Sequence, residues 1–116
     1  MKHSSSFYYD LDFAEKAEDW VNGIFTGGYK IEVKCDRMAH HTHNIYIELY
    51  SRGKPSGIST TQADYWIFII YGRAVSVILP TNKIKELCKE IFNGTYVYGG
   101  DNNTSKGILI PLNLIL

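Results

Sequence analysis

Four ionisable side chains on two predicted strands have the types and spacing to act together chemically. Glu32, Lys34 and Asp36 occupy alternate positions of one short segment. Side chains at alternate positions of a strand project from the same face, so these three groups are expected to form one charged row. Glu48 lies on the next predicted strand, Asn44–Tyr50, and would lie across from this row if the two strands formed a hairpin.

The chemistry of such a set depends on its carboxylates. Carboxylates held a few ångströms apart repel each other, and their oxygens are ligands that suit Mg²⁺ or Mn²⁺. Such an ion can polarise a phosphate and lower the pKa of a bound water, and a neighbouring lysine, here Lys34, can stabilise developing negative charge. Glu18, beside the apolar stripe of the first predicted helix, could point toward the sheet and add a third acid. These groups are suited to hydrolysing a phosphodiester bond.

The sequence around these acids resembles the active-site hairpin of the PD-(D/E)xK nuclease superfamily. The likeness rests on Glu32-Val33-Lys34, Asp36 and Glu48, and is strongest in the segment Gly53–Trp66, which is similar to a group of small phage and bacterial proteins of that superfamily. It covers roughly residues 12–79. The resemblance implies a Mg²⁺- or Mn²⁺-dependent DNA endonuclease with a restriction-endonuclease-like fold. In that fold a central mixed β-sheet contains an antiparallel active-site hairpin and is flanked by helices.

The resemblance allows two assignments of the site. In the superfamily a helix acid, an Asp on one strand and a Glu on the next hold the metal, and by position these are Glu18, Asp36 and Glu48. The residue two after Glu48 is Tyr50 rather than Lys, and no Pro precedes Asp36, so the lysine would be Lys34 on the neighbouring strand. In the alternative, Glu32-Val33-Lys34 is itself the motif, which makes Glu32 catalytic and the other two strand acids auxiliary.

A basic, glycine-containing segment, Arg52–Ser59, precedes a predicted short helix with a capping box at Ser59–Gln62. Backbone N–H groups and the helix dipole at such an N-terminus favour a phosphate. DNA-backbone contacts are therefore predicted for Arg37, Arg52, Lys54, Ser56, Ser59 and Thr60. A homodimer is also predicted, because a chain of this size offers little surface for DNA and many such nucleases act on two strands as dimers.

Each feature also has an ordinary structural interpretation. Alternating charges on a strand are common on a solvated face, and Ser59 and Thr60 could simply start a helix. Three histidines between residues 40 and 43 lack a Cys or acid at metal-ligand spacing, which argues against a zinc site. The departure at Tyr50 leaves a second function open, a nuclease-fold protein that binds nucleic acid or a protein partner without cutting.

Composition sets broader limits on fold and function. The chain has 116 residues, of which 45% are apolar and 21% charged, and we expect a single domain over residues 1–116. The formal net charge of zero argues against a bulk electrostatic nucleic-acid binder, although a local basic rim remains compatible with it. No apolar run is long enough to span a bilayer. Cys35 and Cys88 are predicted to be buried free thiols of a cytoplasmic protein, in the host cell if the chain is phage-encoded.

The periodicity of apolar residues predicts the elements that position these groups. The order helix, two strands, short helix, two strands, helix, strand indicates an α+β or α/β fold. In the first strand, the alternate residues from Tyr29 to Cys35 are expected to face the core. A loose tail is expected over residues 1–8, followed by these elements: helix Asp12–Phe25, strands Tyr29–Asp36 and Asn44–Tyr50, a short helix from Ser59, strands Tyr65–Ile70 and Ala74–Leu79, helix Thr81–Phe92, and strand Ile108–Ile110.

Overall fold

The computed structural model describes the backbone of residues 2–116 and the side chains of residues 11–116. Its fold is α+β, as the order of elements predicted. Three short 3₁₀ turns lie at Gly57–Ser59, Asp101–Asn103 and Leu112–Leu114. The helices and strands are α1 Lys2–Thr26, β1 Ile31–Asp36, α2 Ala39–Thr42, β2 Asn44–Ser51, β3 Lys54–Pro55, β4 Tyr65–Ile70, β5 Val75–Pro80, α3 Thr81–Ile91, β6 Val97–Gly99 and β7 Ser105–Pro111.

The strands form two sheets rather than one central sheet. The first has the order β1-β4-β5, with β1 parallel to β4 and β4 antiparallel to β5. The second has the order β3-β2-β7-β6 and is antiparallel throughout. Buried side chains from both sheets and from α3 form one apolar cluster, to which Ile47, Phe68, Ile84 and Ile110 contribute. The core therefore lies where the two sheets and α3 meet.

The predicted hairpin of the first two strands is wrong. β1 pairs with β4, whereas β2 pairs with β3 and β7, so the two strands belong to different sheets. The side chain of Asp36 accepts hydrogen bonds from the backbone N–H groups of Met38, Ala39 and Tyr46. These bonds turn the chain out of the first sheet at the end of β1 and into α2. The acids of the two strands can therefore meet only in the space between the sheets.

The face of β1 that is turned toward the core is the opposite of the one that the sequence predicted. The register places Glu32, Lys34 and Asp36 opposite Trp66, Phe68 and Ile70 of β4, and these three apolar residues are buried. The charged row is therefore on the core side of the sheet. The predicted core face points outward, where Val33 is 56% exposed and Cys35 is also exposed. Periodicity separated the faces correctly, but the choice of the buried face depended on β4.

Helix α1 is longer and less buried than the sequence indicated. It begins at Lys2 rather than at Asp12, so residues 2–8, expected to be a loose tail, lie in the helix. Among its described side chains only Ile24 is buried, whereas Phe13 and Trp20 are 66% and 52% exposed. The apolar stripe exists but does not pack on the chain's own core. In the part of the chain that the structure describes, no helix is long and apolar enough to cross a membrane.

The two thiols occupy different environments. Both cysteines are free, but only Cys88 is buried, so the predicted burial of Cys35 is wrong. Burial raises the pKa of Cys88 to about 11. Only a thiolate attacks a disulfide reagent efficiently. We therefore expect the Cys88 thiol to resist an aromatic disulfide reagent at pH 8 in the folded protein and to react at once in urea.

A thiol titration with and without urea measures this difference. The variant Cys88→Ala should lose the urea-dependent thiol and keep the other one. Equal and rapid reaction of both thiols in the folded native chain would contradict the prediction.

Candidate active site between the two sheets

A cavity of about 320 Å³ lies between the two sheets and brings together residues distant in sequence. Its walls come from the end of β1, the middle of β2, the Gly57 turn, β4 and the start of β7. Polar and apolar groups share the lining, which is typical of a site that orients a charged ligand on an apolar floor. The lining includes four predicted site residues, Lys34, Asp36, Arg37 and Glu48, and two other side chains, Tyr46 and Trp66.

Lys34 lies over the apolar floor of this cavity. Its Nζ is 5.7 Å from the centre of the Trp66 ring and 3.4 Å from Oε1 of Glu32. Both members of this ion pair are about half exposed, so the pair itself adds little to stability. The contacts with the indole and the carboxylate instead restrict where the ammonium group can lie. Glu32 therefore influences the cavity by positioning the ammonium group of Lys34.

The carboxylate of Asp36 has a structural role in the fold. Oδ1 accepts hydrogen bonds from the backbone N–H groups of Met38 and Ala39, both at 3.0 Å, and Oδ2 accepts one from Tyr46 at 3.1 Å. A carboxylate offers about four acceptor positions, so about one remains for a ligand. Asp36 thus ties the end of β1 to α2 and β2 while it borders the cavity.

The position of Glu48 is set by the turn that follows its strand. Ser56 Oγ donates a hydrogen bond of 2.9 Å to Oε2 of Glu48. Gly57 has a φ of +55° and lies so close to Glu48 that an added Cβ would overlap the Glu48 carbonyl oxygen. Only glycine combines this φ with this approach at low cost. Ser56 and Gly57 therefore position Glu48, a role that the sequence did not reveal.

Tyr46 shares the face of β2 with Glu48 and was missed by the sequence reasoning. Its hydroxyl is 2.7 Å from Oγ of Ser105, and its ring packs against Gly99 and Gly107. Burial raises the pKa of Tyr46; the negative charge of Glu48 adds to that effect, and the hydrogen bond with Ser105 opposes it. The two-residue spacing from Glu48 was a signal that could have identified Tyr46.

Trp66 was also missed, because it lies in an apolar run that predicts only a buried strand. Its side chain is buried, and its indole Nε1 has no hydrogen-bond partner among the described residues. Buried donors without a partner are rare in folded proteins. Trp66, which lines the cavity, therefore carries a buried donor that the described residues leave unpaired.

A second cavity, of about 440 Å³, continues from the first. The two share Lys34, Glu48 and Gly57, and the second also borders Glu32 and Thr60. Lys34 and Glu48 thus lie between two open spaces rather than at the end of a closed pocket. The arrangement forms a groove with the charged residues near its middle.

Glu18 does not belong to this site. It is exposed on α1 and borders neither of the two cavities. Among the described side chains of the helix only Ile24, near its end, is buried, so the structure brings Asp36 and Glu48 to one cavity and leaves Glu18 apart from them. Consistent with this, the described residues contain no cluster of three or more His, Cys, Asp or Glu side chains that could hold a metal.

Two carboxylates still fit a Mg²⁺ or Mn²⁺ ion chemically. Asp36 has about one acceptor position left, and Oε1 of Glu48 accepts no hydrogen bond from the described residues. Mg²⁺ usually keeps several waters and is held by one or two carboxylates together with substrate phosphates. The donor set of the cavity is therefore sufficient for an ion completed by water and substrate.

The residues predicted to contact DNA lie in two separate places, at the cavities and in the turn after β2. Arg37 borders the first cavity, with its guanidinium 5.8 Å from the centre of the Tyr71 ring, and Thr60 borders the second. Arg52 lies in the exposed turn between β2 and β3, Lys54 is the exposed first residue of β3, and neither borders either cavity. The basic rim is therefore split between the groove and a separate turn.

The predicted helix after this turn is wrong. The structure has only a 3₁₀ turn of three residues, Gly57–Ser59, followed by irregular chain up to β4. Such a short turn has no appreciable dipole for binding a phosphate. Ser56 and Ser59 donate their hydroxyl hydrogens to Glu48 and to the Leu49 carbonyl, respectively. Both serines therefore hold the turn on β2. The sequence had predicted that they contact DNA.

Comparison with models of protein families, with curated proteins and with solved structures finds no match to this chain. The resemblance to PD-(D/E)xK nucleases therefore stays a prediction that rests on the residues quoted for it.

Proposed function

We propose that this protein is a Mg²⁺- or Mn²⁺-dependent DNA endonuclease of the PD-(D/E)xK type, with its active site in the cavity between the two sheets. The observation that carries the proposal is the convergence of Lys34, Asp36 and Glu48 on one cavity from two different sheets. These are the two acids and the lysine that the resemblance implies. The proposal does not include Glu18.

In this mechanism Asp36 and Glu48 would hold the metal ion. When bound, the ion supplies positive charge that polarises a phosphate and lowers the pKa of a coordinated water. Ser56 orients the carboxylate of Glu48 through its hydrogen bond. The three backbone N–H groups on Asp36 fix the other carboxylate, so neither acid has to reorganise when the substrate arrives.

The remaining residues of the cavity act on the phosphate. The ammonium group of Lys34, held between Trp66 and Glu32, would stabilise the charge that develops on the phosphate oxygens. Arg37 would neutralise a neighbouring phosphate at the rim. The open groove formed by the two cavities would let a nucleic-acid strand pass over Lys34 and Glu48, with Thr60 beside the far end. Arg52 and Lys54 would reach only a longer duplex.

A second candidate is a protein of the same fold that binds nucleic acid without cutting it. The specific observation in its favour is the state of Asp36, whose two oxygens already accept three backbone hydrogen bonds. A residue that is needed to join two sheets can persist without a catalytic role. This candidate predicts DNA binding that does not depend on Mg²⁺ and no cleavage.

The test is cleavage of labelled duplex, single-stranded, forked and four-way DNAs with Mg²⁺, with Mn²⁺ and with EDTA. We expect metal-dependent products and a rate about 100-fold lower in Lys34→Ala, because a donor aimed at developing charge is typically worth this factor. Lys83→Ala is the matched control, since Lys83 is an exposed lysine on α3 that borders neither cavity. DNA binding without products on every substrate would favour the second candidate instead.

A further inference from the structure

The outer face of the three-stranded sheet is apolar and exposed. The register places Val33 beside Ile67, and Cys35 beside Ile69, on the face opposite the charged row. Val33 and Ile69 are 56% and 39% exposed, and Ile78 of β5 continues the same face. A contiguous exposed apolar surface on one face of a sheet indicates a site that another surface covers.

The same chain has a second exposed apolar surface, on α1. Phe13, Ala17, Trp20 and Val21 recur at helical spacing, and Phe13, Trp20 and Val21 are all exposed. Between Phe13 and Phe25 this stripe is about 18 Å long at 1.5 Å per residue. A strand of six residues is about 20 Å long. The stripe and the outer face therefore match in length as well as in polarity.

The described part of α1 does not cover the outer face of its own sheet. Its last turn is fixed to the body by the buried side chain of Ile24, and Gly27 is packed so tightly that a Cβ would lie 2.8 Å from the Tyr29 ring. The Cα radius of gyration is 17.3 Å, against about 13 Å expected for a compact domain of this length. The helix therefore projects beyond the body of its own chain.

We propose that α1 of one copy packs its apolar stripe on the outer face of the three-stranded sheet of a second copy, and that the contact is reciprocal. Two such contacts would bury surface on the order of 1,500 Å², given the large area of each exposed aromatic side chain, which is what a stable specific dimer needs. This dimer does not depend on the proposed nuclease activity, because its main apolar contact residues, Phe13 and Trp20 on the helix and Val33 and Ile69 on the sheet, line neither cavity.

Charge supports this choice of partner. Residues 11–26 of α1 carry four acidic side chains and one lysine. Lys30 and Arg37 flank β1 at its two ends. An acidic helix that lies along the sheet of a second copy would therefore meet basic side chains at both ends of the edge strand, which favours this pairing over that of two acidic helices with each other.

The test is the molar mass in solution, measured by light scattering after gel filtration. We expect the native chain to have twice its 13.2 kDa mass. Trp20→Glu and Val33→Lys, each alone, should give the mass of one chain. An equimolar mixture of the two variants should return to twice the mass, because one contact then joins a native helix to a native sheet, and in the other the introduced acid of one variant faces the introduced lysine of the other.

The mixture distinguishes the proposed contact from other dimers. Loss of the dimer in Trp20→Glu but not in Val33→Lys would indicate helix–helix pairing, and loss in Val33→Lys but not in Trp20→Glu would indicate sheet–sheet pairing. Either result would overturn the proposal. A native chain with the mass of one copy, or a mixture that stays at one copy, would overturn it too. Leu114→Lys is the matched control, since Leu114 is an exposed apolar residue outside both surfaces and its replacement should leave the mass unchanged.

Cys35 provides an independent readout because it lies on the outer face near Val33. Its modification by a charged thiol reagent should slow as the native protein concentration rises. In Trp20→Glu the rate should be the same at every concentration. A modification rate of the native chain that does not depend on its concentration would contradict the proposed packing of α1 on this face. Far-UV circular dichroism of each variant checks that the substituted surface residues leave the fold intact.

Discussion

Replacing Glu48 by Gln is expected to lower the rate of metal-dependent DNA cleavage by about 100-fold or more. Gln has nearly the same shape and can keep the hydrogen bond from Ser56, so the turn at Gly57 should stay in place. The substitution removes the negative charge that would hold the ion. The charge stabilisation that a metal ion supplies is worth several kcal/mol, and each 1.4 kcal/mol or so is tenfold in rate.

Single-turnover cleavage of the best substrate, with Mg²⁺ varied, measures this effect. Glu86→Gln is the matched control, because Glu86 is an exposed acid on α3 whose contact is a 3.9 Å pair with Lys83. Both variants should unfold at the native urea concentration. Glu48→Gln should still bind DNA in EDTA, where no metal contributes. Cleavage by Glu48→Gln at the native rate would show that this carboxylate does not take part in catalysis.

The largest expected effect on stability comes from Asp36. In Asp36→Ala three backbone N–H groups lose their acceptor, and the free energy of unfolding should fall by about 3 kcal/mol, since hydrogen bonds to a charged acceptor are worth about 1.5–3 kcal/mol and unpaired donors add a cost. Asp36→Asn should be intermediate. Its carbonyl oxygen can accept from Met38 and Ala39, but its amide group presents a donor to the N–H of Tyr46.

Urea unfolding in EDTA measures this loss without any contribution from a metal. Glu48→Ala is the comparison, because that carboxylate accepts one hydrogen bond from the described residues, from the Ser56 hydroxyl, which can rotate toward water, so its loss should cost less than the loss of Asp36. An Asp36→Ala variant within about 0.5 kcal/mol of the native chain would show that the three bonds do not hold the sheets together.

These two expectations determine how the loss of cleavage in a variant should be interpreted. Loss of cleavage in Asp36→Ala could arise from the unfolding of the junction between β1 and α2 rather than from a lost ligand. Loss of cleavage in Glu48→Gln at unchanged stability assigns the metal site directly. The structure thus makes Glu48 the decisive position, although the sequence gave both acids the same weight.

Several elements were determined by the sequence because their signals are local. Tyr65–Ile70 is the strand that its apolar run predicted, and α3 begins at Thr81 directly after Pro80, as predicted. The amphipathic pattern of α3 repeats within a few residues, so it needs no distant partner to be recognised. The two faces of β1 were separated for the same reason. The short strands β3 and β6 carried no such pattern and were missed.

The pairing of the strands was decided only by tertiary structure. Proximity in sequence favoured a hairpin of β1 and β2, but β2 pairs with β7, about sixty residues later, and β1 with β4. Bonds from Asp36 to the chain beyond it turn β1 away from β2. Such bonds form once the side chain has folded onto a particular loop, which no periodicity encodes.

The candidate site shows the same division. Its residue types and the alternation within each strand are properties of the sequence, so Lys34, Asp36 and Glu48 could be named in advance. That they meet in one cavity between two sheets, over Trp66 and away from Glu18, depends on how the sheets pack. The charged face of β1, rather than its apolar face, is turned toward the core for the same reason. Sequence patterns specify which side chains share a face, whereas the other elements of the fold decide what that face meets.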